Sequence, residues 1–326
     1  MNFILIICDA LRYDRVSEKY MSGLTELSKQ GTNFKFCLIG GGNTLQSTPY
    51  ILCSKKNYDE DENLAKILKS KGYSTAMIHS NLLLNKFTSG FDLEVDVYLK
   101  TAPHAREKKA TRKFMRKIGI WKKTREIRKA IQKVRGKEKW EIPYRRAENI
   151  LNEVTTYLNS ASDPWFIWIQ LMDPHIPYYP LNYESYTTWE RVEKLNRLLI
   201  DSIDKQTKLT EKENAEIENL YNEEIRYMDI HLSKFIKEQI NKAVIVVTSD
   251  HGDEFGEYGF YSHCPGKHGL IPQLIHVPLI FLGEKIKSQV IESYTSSLDI
   301  APTILGLAGI DRKLGYGRNL KELICE

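Results

Sequence analysis

Several features are missing from this 326-residue chain, and each absence excludes a class of protein. Its five cysteines are an odd number without Cys-x-x-Cys spacing, which argues against a disulfide framework or a structural zinc site. No apolar run approaches the roughly 18 residues that a membrane-spanning helix needs. The first residues lack the basic segment and the small-residue cleavage site of a signal peptide. Together these absences predict a protein of the reducing cytoplasm.

The chain also has no internal repeat and no low-complexity linker, so we expect one domain over residues 1–326. Three glycines, Gly40 to Gly42, precede a run of hydroxyl residues, but the GxxxxGK[ST] pattern of a nucleotide-binding loop is absent. Two interpretations of these glycines remain. They let an anion approach the amides of a following helix, or they form only a flexible turn.

Positive charge is concentrated in one segment. Residues 106–139 hold 16 Lys and Arg against three acids, a net +13 in a chain whose total is +5, so the rest carries −8. Apolar residues recur there at helical spacing, which predicts a basic helical insertion at about 104–140. Such helices bind anionic membranes or anionic polymers, or they are solvated helices packed onto the body. With the rest of the chain acidic, we expect no nucleic-acid partner.

Short apolar runs alternate with helical patterns along the chain. The longest helical pattern begins with a capping box at Thr210 and Glu213. This alternation predicts an α/β fold, with a largely parallel central sheet flanked by helices on both faces. The predicted strands are residues 2–7, 73–79, 164–171, 243–247 and 278–282.

Residue types that bind metals follow several of these runs. Asp9 follows the first run, and Asp250 and His251 follow the run at 243–247. Because the carboxyl ends of parallel strands meet at one edge of a sheet, these side chains are expected to converge on a divalent cation. The alternative is that each aspartate caps the next helix in a surface turn. A third strand end carries His175 within an Asp-Pro-His sequence.

Six short motifs occur in order along the chain. They are IICDALR at 6–12, NTLQS at 43–47, GYST at 72–75, MDPHIPY at 172–178, TSDHG at 248–252 and DIAPTILGLAG at 299–309. As a set they resemble the sulfatase family of the alkaline phosphatase superfamily. The resemblance runs from residue 2 to about residue 317 and omits chiefly the basic segment. It implies an alkaline-phosphatase-like fold and a metal-dependent hydrolase or transferase that acts on phosphate or sulfate esters.

The resemblance also implies a metal site and a nucleophile. The metal ligands would be Asp9, Asp250, His251 and the nucleophile itself. Thr44 stands where sulfatases proper carry a modified cysteine, which favours phosphoester cleavage, as by a phosphodiesterase, through a covalent Thr44 intermediate. Ala10 replaces a second aspartate of many sulfatases, and together with the histidine ligand this favours Mn²⁺ or Zn²⁺ over Ca²⁺.

The remaining site residues are expected to bind the transferred group or the leaving group. His175 and Lys267 match family positions at the oxyanion or leaving group. His263 and His268 are each a leaving-group acid, a ligand of a second metal or an ordinary loop histidine. Asn81 follows a predicted strand, where it contacts the anion or shapes a turn.

Two function classes follow from these patterns. The first is the esterase described above, and its substrate would be lipid-linked or polysaccharide-linked if the basic segment contributes to binding. The second is a non-catalytic sulfatase-like module that binds an anionic membrane or polysaccharide through its basic helices. Retention of all four metal-site candidates favours the enzyme. Its expected location is the cytoplasm, with peripheral contact at a membrane.

Overall fold

A computed structural model describes residues 1–96, 144–205, 207–263 and 269–325. The predicted basic insertion at about 104–140 lies outside the described residues, as do two of the candidate site residues, Lys267 and His268.

In the described residues eight strands form one sheet, and most of them are parallel. The strands are β1 (Phe3–Cys8), β2 (Thr32–Leu38), β3 (Ser74–His79), β4 (Leu93–Asp96), β5 (Trp165–Leu171), β6 (Val244–Thr248), β7 (His276–Leu282) and β8 (Gln289–Ser296). Their order across the sheet is β4-β3-β5-β1-β6-β7-β2-β8. Only β7 runs antiparallel to its neighbours, β6 and β2. The predicted α/β fold with a largely parallel sheet is confirmed.

Helices cover both faces of this sheet. In the described residues they are α1 (Ser22–Ser28), α2 (Thr44–Cys53), α3 (Leu64–Ser70), α4 (Ala147–Leu158), α5 (Trp189–Lys205), α6 (Glu211–Gln239), α7 (Pro272–Ile275), α8 (Ile300–Leu307) and α9 (Lys321–Ile324). The capping box at the start of α6 is present, with Thr210 Oγ1 accepting a hydrogen bond from the Glu213 amide at 3.2 Å.

The side chains of β1 alternate between two hydrophobic cores. Ile4 and Ile6 pack with α1, α4, α5 and α6, whereas Leu5 and Ile7 pack on the other face with α2, α3, α8 and α9. Both faces of the central strands are therefore buried, which explains why these strands read as continuous apolar runs. Across the described part of the chain, every helix is too short or too polar to span a bilayer.

Six elements were not predicted, namely β2, β4, β8, α5 and the four-residue helices α7 and α9. The strands β2 and β8 lie side by side at one margin of the sheet and mix buried with exposed residues. Their sequences therefore lack the continuous apolar run that identifies a central strand. The residue pattern predicts a helix over 144–159, whereas α4 begins at Ala147, because Tyr144 and Arg146 before it contact the loop that follows β5.

Candidate functional site

The ends of β1 and β6 bring Asp9, Asp250 and His251 together. The two strands are parallel neighbours, so the residues that follow them emerge side by side. His251 Nε2 lies 3.5 Å from Asp9 Oδ1 and 3.6 Å from Asp250 Oδ2. All three side chains are buried, and their candidate ligand atoms lie within 4.8 Å of one another. Helix caps in a surface turn would not be buried in this way.

The hydrogen bonds of His251 leave one ring nitrogen free for a ligand. Its Nδ1 lies 2.8 Å from the carbonyl oxygen of Gly252. A carbonyl oxygen only accepts, so Nδ1 carries a proton, and in the neutral ring Nε2 keeps its lone pair. Within the described residues, Nε2 and the facing Asp9 Oδ1 have no hydrogen-bond partner. A buried imidazole nitrogen beside two carboxylates is a donor set that fits a divalent metal ion.

The electrostatics of the cluster point the same way. Burial raises the pKa of Asp250 to about 6, and the neighbouring Asp9 carboxylate adds to this rise. Burial also opposes charging of the His251 ring, but Asp250 and Asp9 together raise the pKa of His251 above its ordinary value. Two buried carboxylates that repel each other need a compensating positive charge. A bound cation would supply it.

Thr44 is the first residue of α2, and its hydroxyl faces the metal-site cluster. Asn43 caps the helix, with Oδ1 accepting from the Gln46 amide at 3.0 Å. Thr44 is 3% exposed, and its Oγ1 lies 3.4 Å from Asp9 Oδ2. Asn81, predicted as an anion contact, donates to Asp9 Oδ2 at 2.8 Å and lies 3.4 Å from Thr44 Oγ1. Thr44, the fourth predicted metal ligand, and Asn81 therefore lie at the same place as Asp9, Asp250 and His251.

Three histidine rings form a row that leads away from this cluster. The His263 ring lies 4.4 Å from that of His251 and 4.8 Å from that of His175, measured between centroids. His263 Nδ1 is 3.3 Å from Asp253 Oδ1, and Tyr178 donates its hydroxyl to the other oxygen of Asp253 at 2.6 Å. Burial and the neighbouring His251 lower the pKa of His263. The structure thus places the two predicted leaving-group residues, His175 and His263, beside each other.

Several residues of the site were missed from the sequence. Gln170 donates to the predicted ligand Asp9, Asp253 orients His263, and Tyr178 donates its hydroxyl to Asp253. Gln170 could have been identified from the sequence, because it is the one residue with a fully polar side chain in the apolar run of β5. Asp253 and Tyr178 carried no signal that separates them from ordinary loop residues.

A buried ion cluster holds the loop that carries His175. Arg146 pairs with Glu224 and lies 3.8 Å from Asp173 Oδ1. Asp173 accepts a hydrogen bond from the Ala147 amide at 3.0 Å, and Glu224 accepts one from the Tyr179 amide at 2.7 Å. Burial raises the pKa of Glu224 to about 7 and that of Asp173 to about 6. Asp173 therefore anchors the loop and lies among these residues, outside the metal-site group.

Replacing Arg146 by Met is expected to lower the free energy of unfolding by about 3–5 kcal/mol, because two buried carboxyl groups lose their cation. The measurement is denaturant unfolding followed by circular dichroism. Arg312→Met is the matched control, since Arg312 pairs with Glu62 at 3.2 Å at the surface. Loss of that exposed pair should cost at most about 1 kcal/mol. Equal destabilisation by the two variants would contradict the anchoring role of Arg146.

Comparisons with known proteins agree with this geometry. The sequence model of the family Sulfatase matches residues 1–310. A stretch of 88 residues is 41% identical to arylsulfatase K from Danio rerio, covering 26% of this chain and only 16% of that protein. The fold is similar to that of the phosphonate monoester hydrolase SpPMH from Silicibacter pomeroyi, with a TM-score of 0.67, 18% identity and coverage of 99% of this chain and 76% of that chain.

A second similar structure is the soluble domain of lipooligosaccharide phosphoethanolamine transferase A from Neisseria meningitidis. Its TM-score is 0.65 at 18% identity, and the match covers 94% of this chain and 86% of that chain. These likenesses show an alkaline-phosphatase-like fold, and members of this superfamily use divalent metal ions. The family match over nearly the whole length confirms what the six sequence motifs predict. The chain belongs to the sulfatase family of the alkaline phosphatase superfamily.

Proposed function

We propose that this protein is a metal-dependent hydrolase or transferase that cleaves phosphate esters through a covalent intermediate on Thr44. The observation that carries the proposal is the buried Thr44 hydroxyl at the start of α2, 3.4 Å from Asp9 Oδ2. A threonine cannot become the aldehyde nucleophile of sulfatases proper, which favours phosphoryl over sulfuryl transfer. Two structural neighbours, named as a phosphonate monoester hydrolase and a phosphoethanolamine transferase, also support phosphorus chemistry.

The proposed metal would be held by three side chains, Asp9, Asp250 and His251, and the Thr44 hydroxyl is the fourth predicted ligand. When bound, a divalent ion stabilises negative charge on oxygens near it. One nitrogen ligand among the three favours Mn²⁺ or Zn²⁺ over Ca²⁺, which prefers oxygen ligands throughout.

The chain's own residues would carry out two transfers. In the first, Thr44 Oγ1 gives its proton to Asp9 Oδ2, its hydrogen-bond acceptor at 3.4 Å, and bonds to phosphorus while the ester P–O bond breaks. His175 or His263 gives a proton to the departing oxygen, and Asp253 orients the His263 ring for this role. In the second, water or an acceptor hydroxyl attacks the phosphothreonine and restores Thr44. Lys267 and His268 stay proposed contacts of the transferred and leaving groups.

The organic part of the substrate and the place of action are further proposals. Contact of the basic insertion at about 104–140 with an anionic surface would suit a lipid-linked or polysaccharide-linked ester. A cytoplasmic location, with peripheral attachment to a membrane, is proposed on the same ground.

A paired assay tests the reaction class. The purified protein is offered bis-p-nitrophenyl phosphate and p-nitrophenyl sulfate, with Mn²⁺ and Zn²⁺ added in turn. We expect turnover of the phosphodiester that a chelator stops and that added metal restores. Faster turnover of the sulfate ester would contradict the phosphoryl preference. No turnover of either ester and no bound metal would support the non-catalytic binding module instead.

A further inference from the structure

Gln170 lies where it can reach two strand ends at once. It is fully buried near the end of β5, where it pairs with Ile7 of β1. The strand order β5-β1-β6 puts the end of β1 between Gln170 and the end of β6. A long side chain at this position therefore reaches both Asp9 and Asp250.

The Gln170 amide bridges the two carboxylates. Its Nε2 lies 2.9 Å from Asp9 Oδ2 and 3.3 Å from Asp250 Oδ2. Ionised carboxylates only accept hydrogen bonds, so the end of the amide that faces both of them is the NH₂ group. That group has two N–H bonds, one for each carboxylate.

The two carboxylate oxygens of Asp9 have different surroundings. Oδ2 accepts hydrogen bonds from Gln170, Asn81 and Thr44. Oδ1 has no partner among the described residues and faces the lone pair of His251 Nε2 at 3.5 Å. Donors on one oxygen therefore orient the carboxylate so that its other oxygen points toward the imidazole.

We propose that Gln170 is a positioning residue that holds Asp9 and Asp250 at the separation needed to bind the metal. The inference rests on the metal site of the proposed function. Like charges in a buried site repel strongly, and an uncharged donor shared between them offsets this repulsion without competing for the ion. Such a residue raises metal affinity without being a ligand.

The test is the metal affinity of Gln170→Met, which keeps the length of the side chain but has no N–H donor. Competition with a chelator is expected to show about 10–100-fold weaker binding of Zn²⁺ and Mn²⁺ than in the wild type. The Co²⁺-loaded variant is expected to keep the absorption intensity of the wild type, because the ligand set is unchanged.

Gln289→Met is the matched control. Gln289 also donates two hydrogen bonds, to Thr32 Oγ1 at 3.3 Å and to the Leu323 carbonyl at 2.9 Å. It lies at the start of β8, the outermost strand on one side of the sheet, whereas the site lies at the carboxyl ends of the central strands β1 and β6. Its replacement is expected to leave metal affinity unchanged.

Three results would overturn the inference, and they are distinguishable. Equal metal affinity of wild type and Gln170→Met would remove the positioning role but leave the metal site intact. A changed Co²⁺ absorption intensity would make Gln170 a ligand. A wild type that binds no metal would contradict the proposed function itself. If Gln170→Met does not fold, Gln170→Asn replaces it, and this shorter amide is expected to weaken binding in the same direction.

Discussion

Thr44→Ala is expected to lower kcat for the phosphodiester by on the order of 10,000-fold or more, because the variant has no group that can form the covalent intermediate. The unfolding midpoint should stay close to wild type, since the contacts of Thr44 Oγ1 with Asp9 Oδ2 and Asn81 Nδ2 are long, at 3.4 Å each, and Asp9, Asp250 and His251 remain to bind the metal. Acid quenching during turnover followed by mass spectrometry should show a phosphorylated peptide containing residue 44 in the wild type only.

Two variants make this result specific. Thr44→Ser keeps a hydroxyl at the helix start and is expected to retain measurable turnover. Thr303→Ala removes another buried threonine, which donates to the Asp299 carbonyl at 2.6 Å in a region away from the metal-site cluster, and it should change stability more than kcat. Wild-type turnover by Thr44→Ala would remove Thr44 from the role of nucleophile.

The second large effect concerns the metal. Asp250→Ala and His251→Ala are each expected to lose stoichiometric metal, because each removes one of three converging protein ligands. The loss should exceed the about 10–100-fold change expected for a residue that only supports a ligand. Elemental analysis after gel filtration is the direct measurement.

Thermal unfolding gives an independent measure of the same site. A ligand at 100 times its Kd stabilises the folded state by about 2.7 kcal/mol, so added metal should raise the Tm of the wild type and not that of the two variants. Asp229→Ala is the control, because Asp229 is a buried aspartate that accepts from the Gly23 and Leu24 amides at 2.8 Å. Stoichiometric metal retained by both Asp250→Ala and His251→Ala would contradict the site assignment.

The sequence was sufficient for the central strands and for the convergence of the polar side chains that follow β1 and β6. Strands buried on both faces, such as β1 and β6, have continuous apolar sequences that are identifiable without a structure. Parallel strands place their carboxyl ends at one edge, so Asp9, Asp250 and His251 were expected together before their distances were known. The six motifs added Thr44 as the nucleophile, and its role stays a prediction until the variant is measured.

Other parts of the fold and site depended on tertiary structure. The strands β2 and β8, the last two on one side of the sheet, contain both exposed and buried residues. Their pairing with each other cannot be inferred from a local pattern. The hydrogen bonds of His263 to Asp253, and of Asp253 to Tyr178, join residues from two loops. Nothing in the spacing of these residues along the chain predicts their contact.

The sequence alone therefore determined the fold class and the residue types at the ends of β1 and β6, because burial and strand direction leave local patterns. The family was identified from the resemblance of the six motifs. The tertiary structure decided how these residues are supported. Gln170 bridges Asp9 and Asp250 only because β5 lies beside β1 and β1 beside β6. Strand order is set by packing between segments far apart in the chain, so it cannot be predicted from the local sequence.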